Sequence, residues 1–201
     1  MIPKFELIMN EHLERLKSII SKSAFNVSPR YSVNVDFKKI FVPDTGILLY
    51  NLNVSEAANE QNLSPEEILT RMTPAFQREN TKWTQQMQVT FVENLLSGCE
   101  TKIHFYDLSS AEHDMDNCMV LDGLQRLTAI AAFQQGQFPV FGDLYWDMVK
   151  SGGIFPRLNL LLNIYQFESD KEACEFYIQM NKGVTHSEDD LKTAYAFLDA
   201  L

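Results

Sequence analysis

The segment Asp122-Gly123-Leu124-Gln125-Arg126 combines residue types that suit the binding of an anion. It follows the short apolar run Cys118 to Leu121 and precedes a helical pattern. The first amide groups of a helix have no intrahelical partner, and the helix dipole adds partial positive charge there. Gly123 would let a ligand approach the backbone, and Arg126 can bind an anion with two parallel hydrogen bonds. The segment therefore predicts a phosphate- or nucleotide-binding turn, to which Thr128 could add a hydroxyl.

A purely structural explanation accounts for part of the same pattern. Asp is a favoured N-cap that stabilises a helix by about 1 kcal/mol, and Arg126 could be an exposed surface charge. An arginine in the first helical turn is, however, placed unfavourably relative to the dipole, which favours an anionic partner there. Spacing alone leaves both interpretations of Asp122 and Arg126 open.

A second polar cluster, Phe76-Gln77-Arg78-Glu79-Asn80-Thr81-Lys82-Trp83, lies just before another helical pattern. Pro74 prevents a helix in the stretch that leads into it. The functional interpretation is an arm that reaches the same ligand with its cations and amides. The structural alternative is an exposed loop in which Trp83 anchors the helix that follows.

The elements that would position these clusters follow from apolar periodicity and turn signals. Alternation and short apolar runs predict strands at 31–42, 47–52, 102–108, 118–121 and 158–167. The first two of these would form a hairpin through Pro43 to Gly46. Helical spacing and cap residues predict helices at 5–21, 84–97, 123–134, 170–181 and 187–200, with further starts at Ser55 and Ser64-Pro65. This mixture predicts an α+β fold, a small mixed sheet covered by helices with a helical amino-terminal segment.

Composition places this 201-residue chain among ordinary globular proteins and excludes some partners. No apolar run approaches the roughly 20 residues of a membrane span, and residues 1–10 do not resemble a signal peptide. The net charge of −10 argues against tight non-specific DNA binding by the chain alone, although a local basic site is compatible with it. Cys99, Cys118 and Cys174 fit neither a zinc pattern nor an even disulfide set, so we expect reduced thiols in a cytoplasm.

Three elements together resemble a known family in their order and spacing. They are Phe76-Gln77-Arg78 followed by Trp83, the run Val120 to Thr128, and the stretch Phe176 to Gly183. The series is similar to the amino-terminal domain of GmrSD-type modification-dependent restriction enzymes. That domain belongs to the ParB/sulfiredoxin-like superfamily and carries an Asp-Gly-Gln-Gln-Arg motif. The resemblance implies a domain of this kind at 71–201, preceded by an extension at 1–70.

The resemblance also implies a nucleotide-binding site and its residues. In relatives the domain binds a nucleoside triphosphate (NTP) and hydrolyses it to license DNA cleavage, and more distant relatives include CTP-hydrolysing ParB proteins and free-serine kinases. Carried over by position, the expected catalytic residues are Gln77, Asp122, Gln125 and Arg126. The expected phosphate-binding residues are Arg78, Gly123, Arg126, Thr128 and Asn181. Mg²⁺ would bridge the phosphates.

The chain departs from this family at two points. Leu124 stands where the motif has its first Gln, which removes one polar group from the site. The chain also ends at Leu201 without the His-Asn-His nuclease domain of the restriction relatives. We therefore expect a standalone version from a phage or another mobile element, or a part of a longer chain.

The expected function is nucleotide binding with NTP-hydrolysing, nuclease or phosphotransfer activity. The setting would be DNA modification, restriction or phage counter-defence in a bacterial cytoplasm. Two alternatives stay open: a catalytically silent phage-type inhibitor of a host restriction or DNA-binding factor, and a kinase of a modified DNA base. DNA would be reached through a local basic site or a partner protein. Residues 1–70 could support homo-oligomerisation or substrate selection.

Other polar residues give weaker signals. His104, on a strand near the site, is the best candidate for acid–base chemistry, although a partly buried structural histidine is the commoner explanation. Glu112, Asp114 and Asp116 alternate in a loop with His113 and could hold Mg²⁺, but a solvated loop explains them more simply. No histidine lies at metal-ligand spacing with another histidine or cysteine.

Overall fold

The computed structural model describes residues 4–23, 27–78, 82–108, 117–151, 159–182 and 188–201. The strands are β1 (Tyr31–Asp36), β2 (Lys102–Leu108), β3 (Met119–Asp122) and β4 (Asn159–Phe167). The α-helices are α1 (Lys4–Ser21), α2 (Leu52–Gln61), α3 (Pro65–Arg71), α4 (Gln85–Leu96), α5 (Leu124–Gln134), α6 (Trp146–Ser151), α7 (Asp170–Asn181) and α8 (Lys192–Asp199). Short 3₁₀ helices occupy Phe37–Lys39, Gly46–Tyr50 and Glu188–Leu191.

The strands form one mixed sheet in the order β1-β4-β2-β3. β1 is antiparallel to β4, β4 is parallel to β2, and β2 is antiparallel to β3. A bulge between His104 and Phe105 shifts the register of the last pair, so that His104 lies opposite Asp122. Bulges redirect side chains where pairing ends. This one lies at the point where β3 leaves the sheet.

Buried side chains form two clusters. The aliphatic cluster lies against α2 to α6 and contains, among others, Ile103, Phe105, Val120, Leu127, Ile130 and Phe133. The aromatic cluster lies against α7 and α8 and contains Phe76, Tyr106, Leu121, Tyr165, Phe167, Phe176 and Tyr177. β3 contributes Val120 to the first and Leu121 to the second, so it is buried on both sides as its apolar sequence predicts.

Helix starts follow the capping residues of the sequence. Ser64 and Glu67 form a capping box, with Pro65 at the first helical position of α3. Thr84 caps α4 by accepting a hydrogen bond from a backbone amide, and Ser169 caps α7 in the same way. The sequence-predicted starts of these three helices are confirmed.

The α+β class with a small mixed sheet covered by helices is confirmed. β2, β3 and β4, and helices α1, α4, α5 and α7, lie within one or two residues of their predicted bounds. The helix predicted at 187–200 is a 3₁₀ turn followed by α8. α6 was not predicted, because its six residues are too few to show a helical period.

The predicted hairpin at 31–52 is wrong. β1 ends at Asp36, whose side chain accepts a hydrogen bond from the Lys38 amide and starts a 3₁₀ turn. Residues 46–50 form another 3₁₀ helix, and β1 pairs instead with the distant β4. Ser55 does not start a helix either, since Asn51 caps α2 through the Val54 amide. The alternation of apolar residues correctly predicts that side chains of this segment are buried. It does not predict which strand β1 pairs with.

α1 carries a row of apolar side chains that are about half exposed: Leu13, Leu16, Ile19 and Ile20. The spacing is that of an amphipathic helix, as predicted. Across the described part of the chain, no helix combines the length and the hydropathy that a bilayer crossing requires.

Candidate functional site

The turn between β3 and α5 depends on a glycine. Gly123 has φ 103° and ψ 13°, in the left-handed region that other residues rarely adopt. A Cβ at this position would lie 3.1 Å from a methyl carbon of Ile103 in β2. Gly123 is itself the N-cap, and no side chain caps α5. The interpretation of Asp122 as the N-cap is therefore wrong, and the first amides of α5 are available to an external acceptor.

Asp122 instead fixes Arg126. Asp122 Oδ2 lies 2.6 Å from Arg126 Nη2, and about a quarter of each side chain is exposed. Arg126 Nη1 donates to the carbonyl oxygen of Lys102 and is 3.5 Å from the Thr101 hydroxyl. An arginine has five N–H donors in a planar fork, so these contacts orient the guanidinium without using all of its donors. These contacts therefore fix the positively charged guanidinium of Arg126 at the base of the turn.

The Gln77-Arg78 arm lies directly against the end of β3. Gln77 Nε2 donates to the carbonyl oxygens of Val120, at 3.1 Å, and of Leu121, at 2.8 Å. Arg78 Nη1 is 3.0 Å from Asp190 Oδ1, and both side chains are largely buried. The residues that the sequence analysis assigned to a facing arm are therefore adjacent to the turn.

Phe76, which directly precedes the arm, anchors it in the aromatic cluster. Only 1% of its surface is exposed, and its ring centroid is 5.8 Å from that of Tyr106 and 5.6 Å from those of Tyr177 and Phe197. The position of Gln77 and Arg78 thus depends on the aromatic cluster.

Lys82 and Trp83, the last residues of the second polar cluster, also contact the site. Lys82 Nζ lies 2.7 Å from Asp190 Oδ1, so this carboxylate binds two cations. The Trp83 amide donates to Gln125 Oε1 at 3.3 Å, and the Trp83 ring packs on Phe91 of α4 at 5.3 Å. Trp83 therefore anchors α4 through its ring, as the structural alternative predicted. Its backbone amide also connects this segment to Gln125 of α5.

These segments enclose a pocket of about 220 Å³, which we call the turn pocket. Its lining residues are Gln77, Arg78, Trp83, Asp122, Gly123, Leu124, Gln125, Arg126 and Tyr177. The structure thus brings together both clusters that the sequence analysis singled out. Two ion-pair groups lie here in the described part of the chain: Arg126 with Asp122, and Asp190 with both Arg78 and Lys82.

Tyr177 is the lining residue that the sequence analysis missed. Burial raises its pKa to about 12, Arg78 lowers this value, and Asp122 and Asp190 raise it. The phenol is therefore neutral at ordinary pH and close to both charge pairs. A signal existed in the sequence, because Tyr177 lies one helical turn before the expected site residue Asn181.

Two expected site residues do not line the turn pocket. Asn181 is buried at the end of α7, where its Nδ2 donates to the Tyr177 carbonyl oxygen at 2.9 Å. Thr128 lines a neighbouring cavity of about 460 Å³, which we call the side cavity. The acidic loop with Glu112, Asp114 and Asp116 lies outside the described residues.

His104 lies beside the site without lining the turn pocket. Burial lowers its pKa, while Asp122 raises it and Arg126 lowers it. Its ring centroid is 5.7 Å from that of Tyr165, and its Nδ1 is buried with no hydrogen-bond partner in the described part of the chain. Burial therefore makes the imidazole next to the Asp122–Arg126 pair harder to protonate than a free histidine.

Comparisons with known protein families, with curated protein sequences and with solved structures found no match to this chain. Among the described residues, no group of three or more His, Cys, Asp or Glu side chains is arranged to hold a metal ion.

Proposed function

We propose that this protein binds a nucleoside polyphosphate in the turn pocket and uses it in DNA modification, restriction or counter-defence. The observation that carries the proposal is the convergence of the Gln77-Arg78 arm with the Asp122–Arg126 turn, from segments 44 residues apart. The ParB/sulfiredoxin-like identity of the fold, which the resemblance implies, belongs to the same proposal.

The charge of the pocket supports an anionic ligand. The chain as a whole carries −10, yet among the described residues that line this pocket Arg78 and Arg126 outnumber Asp122 by one positive charge. The uncapped amides at the start of α5 add partial positive charge and donors at the same place. A local positive site of this kind attracts phosphate in spite of the acidic surroundings.

The hydrogen bonds suggest a division of roles. Gln125 uses Oε1 to accept from the Trp83 amide, so its Nε2 remains as a donor for a phosphate oxygen. Gln77 uses Nε2 to hold the arm on β3, so its Oε1 is the atom that would orient a water. Arg78 and Arg126, which both line the pocket, would neutralise phosphate oxygens. Hydrolysis or transfer of the terminal phosphoryl group would depend on this positioning.

Mg²⁺ fits this proposal as a companion of the phosphates. Magnesium is usually held by one or two carboxylates together with phosphate oxygens and water. Asp122 lines the pocket and binds Arg126 through Oδ2, so Oδ1 is the oxygen that would reach the ion. The ion would neutralise charge on the phosphates, while the chain's own residues bind and orient them.

Isothermal titration with the common NTPs, with and without Mg²⁺, tests the proposal. We expect binding by the wild type and by Arg71→Gln, because Arg71 is exposed, donates to Gln61 and lines neither the turn pocket nor the side cavity. Arg78→Gln and Arg126→Gln should each bind about tenfold more weakly, or worse, provided that thermal melting shows them folded. Absence of binding to the wild type, or equal binding by all three variants, contradicts the nucleotide site.

A catalytically silent interaction protein is the second candidate, and the half-exposed apolar row of α1 favours it. Leu124 also offers a hydrocarbon side chain inside the pocket, where the related motif has an amide. A phosphate-release assay distinguishes the two functions. Turnover that is lost in Gln125→Ala supports the enzyme, whereas a stoichiometric protein complex without turnover supports the silent protein.

A further inference from the structure

The side cavity adjoins the turn pocket. It lies among α3, α4 and α5, and it has about twice the volume of the turn pocket, 460 Å³ against 220 Å³. Gln77, Arg78 and Leu124 line both spaces, so these three side chains form the boundary that the two spaces share.

The lining of the side cavity differs in chemistry from that of the turn pocket. Apart from the shared Arg78, Glu66 is the charged residue in its described lining, and Glu66 is exposed at the start of α3. The remaining polar groups include the amides of Gln88, Gln135 and Gln137. Small buried side chains of α5, Ala131 and Ala132, provide an apolar surface beside them. A lining that is mostly uncharged does not suit phosphates.

Resting on the proposed function, we infer that the side cavity binds the nucleoside part of the ligand, while the turn pocket binds its phosphates. The turn pocket is smaller than the roughly 300–1,000 Å³ typical of small-molecule sites, and the side cavity supplies the missing space. Gln137 Nε2 donates to Gln135 Oε1 at 3.2 Å, so Gln88 is the glutamine of this lining whose amide offers a donor and an acceptor side by side. Such a pair matches the edge of a nucleobase. The ligand class is therefore a nucleoside polyphosphate rather than a free polyphosphate.

Leu124 acquires a role in this arrangement. Its half-buried side chain lies at the boundary of the two spaces. There it contacts the sugar or the base and leaves the phosphates to the neighbouring amides and arginines. An apolar residue at this boundary favours a ligand that carries a nucleoside.

The test compares NTPs with inorganic tripolyphosphate by isothermal titration to the full chain. Thr128→Phe fills the side cavity from α5, and Thr90→Phe places the same bulk on an exposed position of α4 as a control. Gln88→Ala removes one amide without adding bulk, and thermal melting establishes that each variant is folded. We expect the wild type and Thr90→Phe to bind at least one NTP about tenfold more tightly than tripolyphosphate. Thr128→Phe should lose this advantage and retain tripolyphosphate binding, and Gln88→Ala should lose part of it.

Two results overturn the inference while the phosphate site stands. One is equal affinity of the wild type for every NTP and for tripolyphosphate. The other is an unchanged NTP preference in folded Thr128→Phe or, if that variant does not fold, in Gln88→Ala. Failure of the wild type to bind any of these compounds overturns the proposed function itself, and the inference with it.

Discussion

The two clusters that cover the sheet differ in what they support. The aliphatic cluster joins the strands to α2 to α6 and stabilises the body of the fold. The aromatic cluster is smaller, but it contains Phe76 and Tyr177, which respectively anchor the arm and line the turn pocket. β3 belongs to both, and the turn pocket opens where β3 ends. Stability and ligand binding should therefore respond differently to changes in the two clusters.

Truncation of one large ring in each cluster should give the largest effects on stability. Phe76→Ala and Phe133→Ala each remove a fully buried ring, so each should lower the free energy of unfolding by about 3–5 kcal/mol in denaturant titrations. Only the Phe76 change should also weaken nucleotide binding, because it releases Gln77 and Arg78. Phe76→Leu, which keeps more of the packing, allows the affinity to be measured if the alanine variant is unfolded. Equal affinities for the two truncations would contradict the division.

A glycine comparison is expected to give the next largest effect. Gly123→Ala should destabilise the protein by about 1–3 kcal/mol, because the new Cβ meets Ile103 in a left-handed backbone conformation. Gly136 also has a positive φ, but a Cβ there would meet nothing within 4 Å. Gly136→Ala should therefore be the milder change in the same unfolding experiment. The reverse order would show that the approach of Ile103 is unimportant.

The paired cations give a smaller effect on stability and an opposite effect on binding. Asp190→Asn removes the carboxylate that holds Arg78 and Lys82, so it should cost about 1–3 kcal/mol. It should nevertheless tighten the binding of polyphosphate at low salt, because one negative charge leaves the site. Asp189→Asn is the matched control, since Asp189 is exposed and pairs with Lys192 at the surface. Weaker polyphosphate binding by folded Asp190→Asn would show that the carboxylate is needed for the ligand.

His104 gives the smallest expected effect. Its pKa in the folded state is below the usual 6.5, mainly because of burial, so the unfolded chain takes up a proton more readily. The stability associated with neutral His104 is therefore complete above about pH 6.5 and is lost as the pH falls toward the folded-state pKa. Between about pH 7.5 and pH 5.5 the wild type should lose more stability than His104→Gln in urea titrations. Identical slopes would indicate that His104 titrates normally.

The elements around the site were predictable from short-range signals. The cap at Ser64-Pro65 and the buried strand before Asp122 were both predicted from local residue types, and both are confirmed. The meeting of the Gln77-Arg78 arm with the turn was predicted from the family resemblance. Spacing could not show that Gln77 reaches two backbone carbonyl groups of β3, because that contact depends on tertiary packing.

Other features depend on contacts that no local pattern reports. Residues 37–50 have the alternation of a strand but form 3₁₀ turns. Their apolar side chains are buried in the aliphatic cluster, so the alternation reflects burial and not strand pairing. The pairing of Arg126 with Asp122 and of Arg78 with Asp190 was also not expected. Charged residues in sequence show which partners are available, and the fold decides which of them meet.

Backbone amide NMR during titration with an NTP shows where on the chain the ligand binds. We predict that the amides of Gly123, Leu124, Gln125 and Arg126 show the largest chemical-shift changes, followed by Gln77 and Arg78. Arg78→Gln should reduce these changes at equal ligand concentration, whereas Arg71→Gln should not. Shifts concentrated elsewhere in the chain, or no shifts at saturating ligand, would contradict nucleotide binding at the turn between β3 and α5.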